Sequence, residues 1–339
     1  MNKCTIVSCA ALVAGAVFAG AAMAEISYKD KTVRIVVGSP PGGMLDTYSR
    51  AISRHMGKHL PGRPAIIIDN KAGAGTLLAA NYLFKAARPD GLTFGTFIGN
   101  LVLSQIFGEK GIEFDARRFE WIGTAQRATA VCVLTKASGI ASVEQWEASR
   151  RQVKLGGTGL GSNTDDIPKI VGASLGLPLQ IVSGYKGTAA IRQAAESGEV
   201  DGLCASWEIL KVSWSNALTR GDVNVVLQVT EKAHPDLPRV TVAFEHAKNS
   251  ESRQLIQLGV VQPAQIIQPY AAPPGTPPEI VEVLRKAFMA TMKDSEFLAD
   301  AEKAKLSIDP MSGEQVEKVV SGYFKLDPQI VAKLKQTIR

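Results

Sequence analysis

A glycine-rich turn between a strand-like run and a helix-like run is the feature that most constrains how this chain can fold. Residues 33–37 form a short β-branched run that ends at Gly and Pro, and apolar residues then recur at helical spacing over 45–56. Residues 65–68 and 93–98 are further strand-like runs, separated by a predicted helix over 77–87. This β-α-β-α-β order predicts an α/β fold with a parallel sheet and helices on both of its faces.

A second series of the same kind occupies the middle of the chain. Its strand-like runs are 130–135, 153–155, 179–182 and 223–229. The last third is predicted to form three helices, over 278–293, 295–304 and 313–324. The chain has 339 residues, whereas a single core stops growing near about 250–300 residues. Two domains are therefore expected, although the sequence shows no internal repeat.

The first 24 residues have the pattern of a secretory signal. Lys3 is their only charged residue, an apolar run follows over 6–22, and a small-x-small ending predicts cleavage after Ala24. An uncleaved membrane anchor is the alternative, but the apolar run is short for a spanning helix. No later run reaches the roughly 20 apolar residues of a membrane span. We therefore expect a soluble, exported product.

The charge of the chain argues against nucleic acid as a partner. There are 38 Lys and Arg residues against 32 Asp and Glu, a formal net charge of +6. The basic residues are spread along the chain and form no stripe interleaved with aromatic residues. Because the protein is also expected to be exported, we predict no nucleic-acid partner.

Two of the four cysteines, Cys4 and Cys9, fall within the predicted signal. The other two, Cys132 and Cys204, lie in apolar, strand-like surroundings. We expect them to be buried free thiols, since free cysteine is among the most buried residue types. A disulfide formed in an oxidising compartment is the alternative.

Four glycine-rich turns lead directly into predicted helices. They are 40–43, 73–76, 156–164 and 185–188. In an open α/β sheet such turns lie at the carboxyl ends of the strands, and the helix behind each turn offers unpaired N–H groups and a partial positive charge. Two turns from each half of the chain predict a cleft that holds a carboxylate or another anion without Arg or Lys. The alternative is that these Gly and Thr residues serve only to cap helices.

Known catalytic and metal-binding motifs are missing. The chain has no nucleophile elbow and no Walker sequence, and its glycine turns lack the spacing of the dinucleotide fingerprint. His55 and His59 lack the Glu of a zincin and a nearby third ligand, so we expect a solvated helical face, no metal and no cofactor. Asp46 is expected to cap its helix or to hydrogen-bond a ligand. Asp165 and Asp166 are expected at a helix N-terminus because the dipole favours acidic residues there.

Six short segments follow one another in an order that is specific to one protein family. The first, VVGSPPGGMLDTYSR, is close to the pattern V-P-F-x-P-G-G-x-x-D-x-x-A-R, and the second, IDNKAGAG, is close to E-N-x-P-G-A-G-G. The six segments are 36–50, 68–75, 89–94, 198–201, 235–238 and 272–277. In sequence and order they resemble the Bug family of extracytoplasmic solute receptors, the substrate-binding proteins of tripartite tricarboxylate transporters. The resemblance runs from about residue 31 to beyond residue 320.

The resemblance implies a two-lobed, type II periplasmic-binding-protein-like fold. In this fold two α/β lobes flank a ligand cleft, and two segments that cross between the lobes form the hinge. We place the crossings near residues 130 and 230. Lobe one then comprises residues 31–129 plus 231–339, and lobe two comprises residues 130–230.

The resemblance also implies which residues contact the ligand, through backbone N–H groups and hydroxyls of the loops. Lobe one is expected to contribute Ser39, Pro41, Gly42, Gly43, Asp46, Ala74, Gly75 and Thr76, and lobe two Thr158, Asn163, Thr164, Tyr185 and Thr188. The family's Pro and Phe before the P-G-G turn are replaced by Gly38 and Ser39, so a reshaped pocket and a ligand other than citrate are expected. Thr76 replaces a Gly of the family and adds a hydroxyl.

The function implied by this resemblance is that of a monomeric receptor without catalytic residues, cofactor or metal. It is expected to capture a small carboxylic acid in the periplasm and to deliver it to the membrane subunits of a tripartite tricarboxylate transporter. An exported hydrolase or dehydrogenase is one alternative, and a ligand-binding protein that serves only a sensor is another. Turnover of a bound acid would distinguish the enzyme from the receptor.

Overall fold

The observed strands lie within one or two residues of those predicted in both α/β series, and further strands join them. The computed structural model describes residues 26–159 and 161–338, so the predicted signal and its cleavage site lie outside the described residues. The strands are β1 (Thr32–Val37), β2 (Ala65–Asn70), β3 (Thr93–Thr96), β4 (Glu120–Thr124), β5 (Ala130–Thr135), β6 (Val153–Gly156), β7 (Leu179–Val182), β8 (Gly202–Ser206), β9 (Val223–Val229), β10 (Pro269–Ala272) and β11 (Met311–Ser312).

Helices follow most of these strands and dominate the last third of the chain, as predicted. They are α1 (Met44–Met56), α2 (Leu77–Lys85), α3 (Leu101–Ile106), α4 (Val143–Glu147), α5 (Asn163–Leu175), α6 (Thr188–Glu196), α7 (Trp207–Ser213), α8 (Ser215–Arg220), α9 (Ala243–His246), α10 (Ser250–Ile256), α11 (Gln262–Gln265), α12 (Pro278–Thr291), α13 (Ser295–Lys303), α14 (Gly313–Tyr323) and α15 (Pro328–Ile338). Across the described ranges, no helix combines the length and the apolar character that crossing a membrane requires.

The strands form two mixed sheets, ordered β2-β1-β3-β10-β4-β11 and β7-β6-β8-β5-β9. β1 is parallel to β2 and β3, and β6 is parallel to β7 and β8. However, β10 is antiparallel to β3 and β4, and β5 is antiparallel to β8 and β9. The predicted parallel arrangement is confirmed for β1, β2 and β3. It is wrong for β5, because this strand follows a crossing of the chain from one sheet to the other and enters its sheet from the opposite end, as the unpredicted β10 does in the first sheet.

The two sheets share one architecture. Five strands of the first sheet, β2-β1-β3-β10-β4, match the order and the directions of β7-β6-β8-β5-β9. In this match β1 corresponds to β6, and the helices that follow these strands, α1 and α5, also correspond. The turns before α1 and α5 therefore lie at the carboxyl ends of equivalent strands. The protein thus contains a structural repeat that its sequence does not reveal.

Apolar helix faces cover both sheets. On one face of the first sheet, Ile35 packs in a buried cluster with Ile52 of α1 and Phe288 of α12. On the other face, Val36 belongs to a cluster that continues into the second sheet and includes Cys132. Neighbouring strand residues point to opposite faces, which is why β1 supplies both clusters. Each such side chain contributes about 1.5–3 kcal/mol when it is fully buried.

The helices after residue 231 contact both sheets. α12 and α14 pack on β4 of the first sheet, whereas α10 and α15 pack on α5 beside the second. The C-terminal third of the chain therefore spans the two halves of the molecule. The lobe boundaries near residues 130 and 230 stay a prediction.

The cysteines form a disulfide, so the expectation of free thiols is wrong. Cys132 in β5 and Cys204 in β8 are directly opposed partners in the antiparallel ladder, with their Cα atoms 4.0 Å apart. Both residues are fully buried, as their apolar surroundings indicated. The register between the two strands, which the sequence alone did not indicate, brings the two sulfur atoms together.

Candidate functional site

The turn between β1 and α1, residues 38–43, approaches the turn before α2. Ser39 lies in this turn, and Asn70 at the end of β2 donates to the Ser39 carbonyl at 2.9 Å. Gly38 is packed so closely that a Cβ atom added to it would lie 2.6 Å from the Cβ of Thr76. The first and second predicted ligand turns therefore form one assembly. Within it Pro41 and Gly42 are exposed.

Asp46 holds this first turn in place. The residue is 1% exposed. One carboxylate oxygen accepts the Gly42 N–H and the Arg50 Nε–H, both at 2.8 Å, and the other accepts from Asn70 at 2.9 Å. Burial acts to raise the pKa of Asp46, but these hydrogen bonds outweigh it and hold the pKa below its ordinary value. Both oxygens are thus engaged within the protein.

The turn before α2 has an unusual backbone. Gly73, Ala74, Gly75 and Thr76 all have positive φ, at 145°, 47°, 60° and 76°. The left-handed conformation costs an L-residue about 1–2 kcal/mol, and a β-branched residue such as Thr rarely adopts it. The Thr76 hydroxyl accepts the N–H of Ile98 at 3.1 Å, which ties this turn to the end of β3. Ala74 and Gly75 are exposed at its tip.

The turn between β6 and α5 carries the predicted contacts of the second half. The Thr164 hydroxyl accepts the N–H of Thr158 at 3.0 Å and lies 3.0 Å from the Thr158 hydroxyl. Asp165 is 2% exposed and accepts the Gly159 N–H at 2.8 Å and the Ser162 hydroxyl at 2.9 Å. Thr158, Thr164 and Asp165 therefore support the shape of their own turn.

Asp165 plays in the second half the part that Asp46 plays in the first. Its other oxygen accepts the hydroxyl of Ser183, which directly follows β7 as Asn70 ends β2. Burial acts to raise the pKa of Asp165, but hydrogen bonds led by that of Ser183 outweigh it and keep the pKa below its ordinary value. Sequence reasoning missed this role and considered only the helix dipole.

A spacing signal could have revealed the equivalence. β1 ends at Val37 and β6 ends at Gly156. Asp46 and Asp165 each come nine residues later (46 − 37 and 165 − 156), as the third residue of the helix that follows. The same nine-residue interval after two strands that hold equivalent places in their sheets would have indicated that the two aspartates share a role.

The remaining predicted residues of the second half occupy different environments. Asn163 is exposed at the start of α5, and its Oδ1 lies 3.4 Å from the Nδ2 of Asn100, which precedes α3 of the first half. Tyr185 donates its hydroxyl to Glu199 at 2.6 Å, and its backbone N–H donates to the Gly157 carbonyl at 3.2 Å. The Asn100–Asn163 pair is a polar contact between the two halves of the predicted site.

The turn before α6 completes the set. Thr188 is the first residue of α6, and Gly187 before it has φ 145°, a conformation that favours glycine. In the matched order of the two sheets, β7 corresponds to β2, so this turn corresponds to the one before α2. The structure therefore groups the predicted residues into two turns on each sheet.

His55 and His59 do not form the solvated helical face that was predicted. Both are half-buried against α13 of the C-terminal third. The Nε2 of His55 lies 3.1 Å from a carboxylate oxygen of Asp300, and that of His59 lies 3.0 Å from Asp294. The prediction is wrong because α13 packs on α1, a long-range contact that places its acidic residues beside the two histidines.

One group of side chains approaches the spacing of metal ligands. Ligand atoms of His55, Asp294 and Glu296 all lie within 4.8 Å of one another. The ammonium group of Lys58 donates to both carboxylates, at 2.9 and 2.6 Å. Lys58 thus supplies the positive charge that these two carboxylates need, and we assign no metal to them.

Comparisons with known proteins agree with this architecture. A profile described as the tripartite tricarboxylate transporter family receptor, TctC, matches residues 49–335. A curated relative, the UPF0065 protein in the tcbD-tcbE intergenic region of Pseudomonas sp. (strain P51), is 26% identical over 262 residues, which make up 76% of this chain and 73% of that protein.

Solved structures show the same fold. A TctC solute binding protein from Polaromonas has a TM-score of 0.73 at 19% identity, with 92% of this chain and 99% of that one covered. The R. palustris protein Rpa4515 with adipate has a TM-score of 0.62 at 21% identity, with 91% and 97% covered. The two-lobed fold and the family resemblance inferred from the six segments are thus confirmed. Because the family profile matches most of the chain, the protein belongs to the tripartite tricarboxylate transporter receptor family of periplasmic solute-binding proteins.

Proposed function

We propose that this chain is a periplasmic receptor that captures a small carboxylic acid between its two halves. It delivers the acid, without chemical turnover, to the membrane subunits of a tripartite tricarboxylate transporter. Family membership supports the role of receptor. The R. palustris neighbour, whose structure contains adipate, supports a carboxylate as the ligand class.

The observation that carries the proposal is a matched pair of helix N-termini, those of α1 and α5. Each follows a glycine turn that an aspartate holds in place. Within the described chain, no side chain caps the first turn of α1 behind Gly43, of α5 behind Ser162 or of α6 behind Gly187. The first N–H groups of a helix have no intrahelical partners and carry a partial positive charge. A carboxylate is the kind of ligand that satisfies both properties.

Ser39 adds a hydrogen-bond donor at the first of these turns. Its hydroxyl oxygen is buried and has no hydrogen-bond partner among residues 26–159 and 161–338. A Cβ atom added to Gly43 would lie 2.9 Å from this oxygen, so the hydroxyl is adjacent to the N-terminus of α1. Buried polar groups are normally paired, and a ligand carboxylate at this helix end would accept the Ser39 hydroxyl.

The Cys132–Cys204 disulfide supports the periplasmic location. Disulfides persist in oxidising compartments such as the bacterial periplasm and are rare in the cytosol. An exported chain that carries a cleavable signal, cut after Ala24, is consistent with this chemistry. We also propose that the receptor is a monomer that binds one ligand between its halves.

A thermal-shift screen of the purified mature protein, residues 25–339, tests the proposal. The panel contains mono-, di- and tricarboxylates, aromatic acids, amino acids and nicotinate-type compounds, with neutral amides as controls. A ligand at about 100 times its Kd stabilises the native state by roughly 2.7 kcal/mol, which is a clear rise in Tm. Stabilisation by acids alone supports the proposal. Stabilisation by neutral amides alone, or chemical turnover of a bound acid, contradicts it.

A further inference from the structure

A cavity of about 420 Å³ lies between the two halves of the protein. On the side of the first sheet it is lined by Asn100 and by Leu103 of α3, and on the side of the second by the first turn of α5. Asn163 and Asp166, which lie three residues apart on one face of α5, both line it. Because Asn163 is also a predicted ligand residue, the cavity is adjacent to the proposed carboxylate site.

Asp166 lines this cavity, and one of its carboxylate oxygens lacks a hydrogen-bond partner among the described residues. This oxygen, Oδ1, is buried. The two nearby ammonium groups are directed to backbone carbonyls instead, Lys169 to Ile338 and Lys335 to Phe107, each at 2.5 Å. Neither lysine therefore supplies Asp166 with the donor that a buried carboxylate needs.

The charges around Asp166 leave this end of the cavity short of positive charge. Burial raises the pKa of Asp166 to about 7. The negative charges of Asp165 and Glu109 act in the same direction, against Lys169 and a backbone hydrogen bond from Gly161. Glu109 and Lys335 also line the cavity, and Lys335 lies on α15. A ligand that brings an ammonium group or an N–H donor would satisfy the carboxylate.

We propose that the ligand carries an ammonium group at the end remote from its carboxylate, and that Asp166 selects for this group. The inference rests on the proposed function, in which the glycine turns hold the carboxylate. Leu103, Phe107 and Ile338 give the cavity apolar walls that suit a methylene chain between the two ends. The ligand class is therefore an ω-amino carboxylic acid with an unbranched or lightly substituted chain.

Calorimetric titration with three six-carbon acids tests the inference. At pH 8 the probes are 6-aminohexanoate, adipate and hexanoate, which differ only in the group at the remote end. We expect 6-aminohexanoate to bind about tenfold or more tightly than hexanoate, because hydrogen bonds between charged groups are stronger than neutral ones. Adipate is expected to bind most weakly, since its second carboxylate would face Asp166.

Two further measurements separate selection by Asp166 from a structural role. In Asp166→Asn we expect the ratio of the 6-aminohexanoate and hexanoate affinities to fall close to one while hexanoate binds as before, and Asp222→Asn, at an exposed ion pair, to leave both affinities unchanged. In the unmodified protein the same ratio should rise from pH 6 to pH 8 as Asp166 loses its proton. This second measurement needs no variant and stands even if Asp166→Asn does not fold.

The outcomes separate this inference from the receptor proposal. If adipate or hexanoate binds as tightly as 6-aminohexanoate, or if the ratio does not change with pH, the selection by Asp166 is refuted and the receptor proposal stands. The same holds if none of the three probes binds while other acids in the wider panel do. If no acid binds at all, the proposed function fails and this inference fails with it.

Discussion

Asp46 and Asp165 occupy equivalent positions in the two halves of the protein. Each is the third residue of a helix, is almost fully buried, and accepts the backbone N–H of a glycine in the turn before it. Each also accepts a hydrogen bond from a side chain at the end of the next strand, from Asn70 or Ser183. The two carboxylates therefore hold the backbone of the two turns in place.

Removing the charge of Asp46 or of Asp165 should loosen the turn that the carboxylate supports. Hydrogen bonds to charged groups contribute about 1.5–3 kcal/mol each, so we expect Asp46→Asn or Asp165→Asn to lower the free energy of unfolding by about that amount. Carboxylate affinity should fall as well, because the helix N-terminus is no longer presented in one geometry. Urea unfolding and calorimetry measure the two effects, with Asp222→Asn as the exposed control. Full affinity in both variants would contradict a positioning role.

The same two groups predict a loss of stability in acid. Both have a folded-state pKa below the ordinary value of 3.8, so their contribution is complete above that pH and is lost as the pH falls through the folded-state pKa. The difference in unfolding free energy between the natural chain and the Asp46→Asn/Asp165→Asn double variant should shrink from pH 5 towards pH 2.5. A difference that is constant over this range would count against the assignment.

Asp166 predicts a change of stability with pH that is opposite in sign and occurs at higher pH. Its pKa is raised to about 7 in the folded protein, so ionisation disfavours folding and stability falls as the pH rises from about 4 to 7. Asp166→Asn should remove this fall and raise Tm at pH 8 while leaving Tm at pH 4 nearly unchanged. Melting curves of both proteins across this range measure the effect, and a lower Tm for the variant at pH 8 would contradict it.

Gly43→Val should abolish carboxylate binding in a protein that remains folded. The backbone at Gly43, with φ −70°, accepts any residue, but an added Cβ would lie 2.9 Å from the Ser39 hydroxyl and 3.2 Å from the Pro40 carbonyl. The new side chain would fill the space in front of the α1 N-terminus. Thermal shift with the best acid measures binding, and Gly322→Ala, with open space around its Cβ, is the control. Unchanged affinity would exclude the first turn from the site.

Thr76 predicts an unusual order of stabilities between two substitutions. At φ 76°, Thr76→Gly relieves the left-handed strain, whereas Thr76→Ala retains it, and both lose the hydrogen bond to Ile98. Because this strain is about 1–2 kcal/mol, we expect the Gly variant to be about 1 kcal/mol more stable than the Ala variant. Chemical unfolding of the two proteins decides this, and the reverse order would show that the turn is not strained.

The strands and helices were predicted well from the sequence because the Gly and Pro residues that mark their ends lie beside them in the chain. Residues 33–37 and 65–68 are β-branched runs bordered by Gly38 and by Pro64, and they form β1 and β2. β10 was not predicted, because its four residues, PYAA, carry little strand signal and pair only after a long crossing of the chain. Its antiparallel direction depends on where the chain returns, which no short window contains.

The glycine turns of the candidate site were predictable from the sequence, but the side chains that hold those turns in place were not. Glycine patterns located the turns around Gly43 and Gly75, since close backbone approach and positive φ require that residue. Tyr185 carries a hydroxyl that the structure pairs with Glu199, a partner set by tertiary contact rather than by spacing. The disulfide of Cys132 and Cys204 likewise depends on strand register, which becomes defined only when β5 enters its sheet.

The strand order determines which of the two sheets can be completed first as the chain emerges. All five strands of the second sheet come from one continuous stretch, residues 130–229, whereas the first sheet has β10 (Pro269–Ala272) between β3 and β4. In a chain that emerges amino end first, the second sheet would have all of its strands while the first sheet still lacked its central strand, β10. The half that begins the polypeptide is thus the last to close, and a truncation before residue 269 would leave that sheet divided in two.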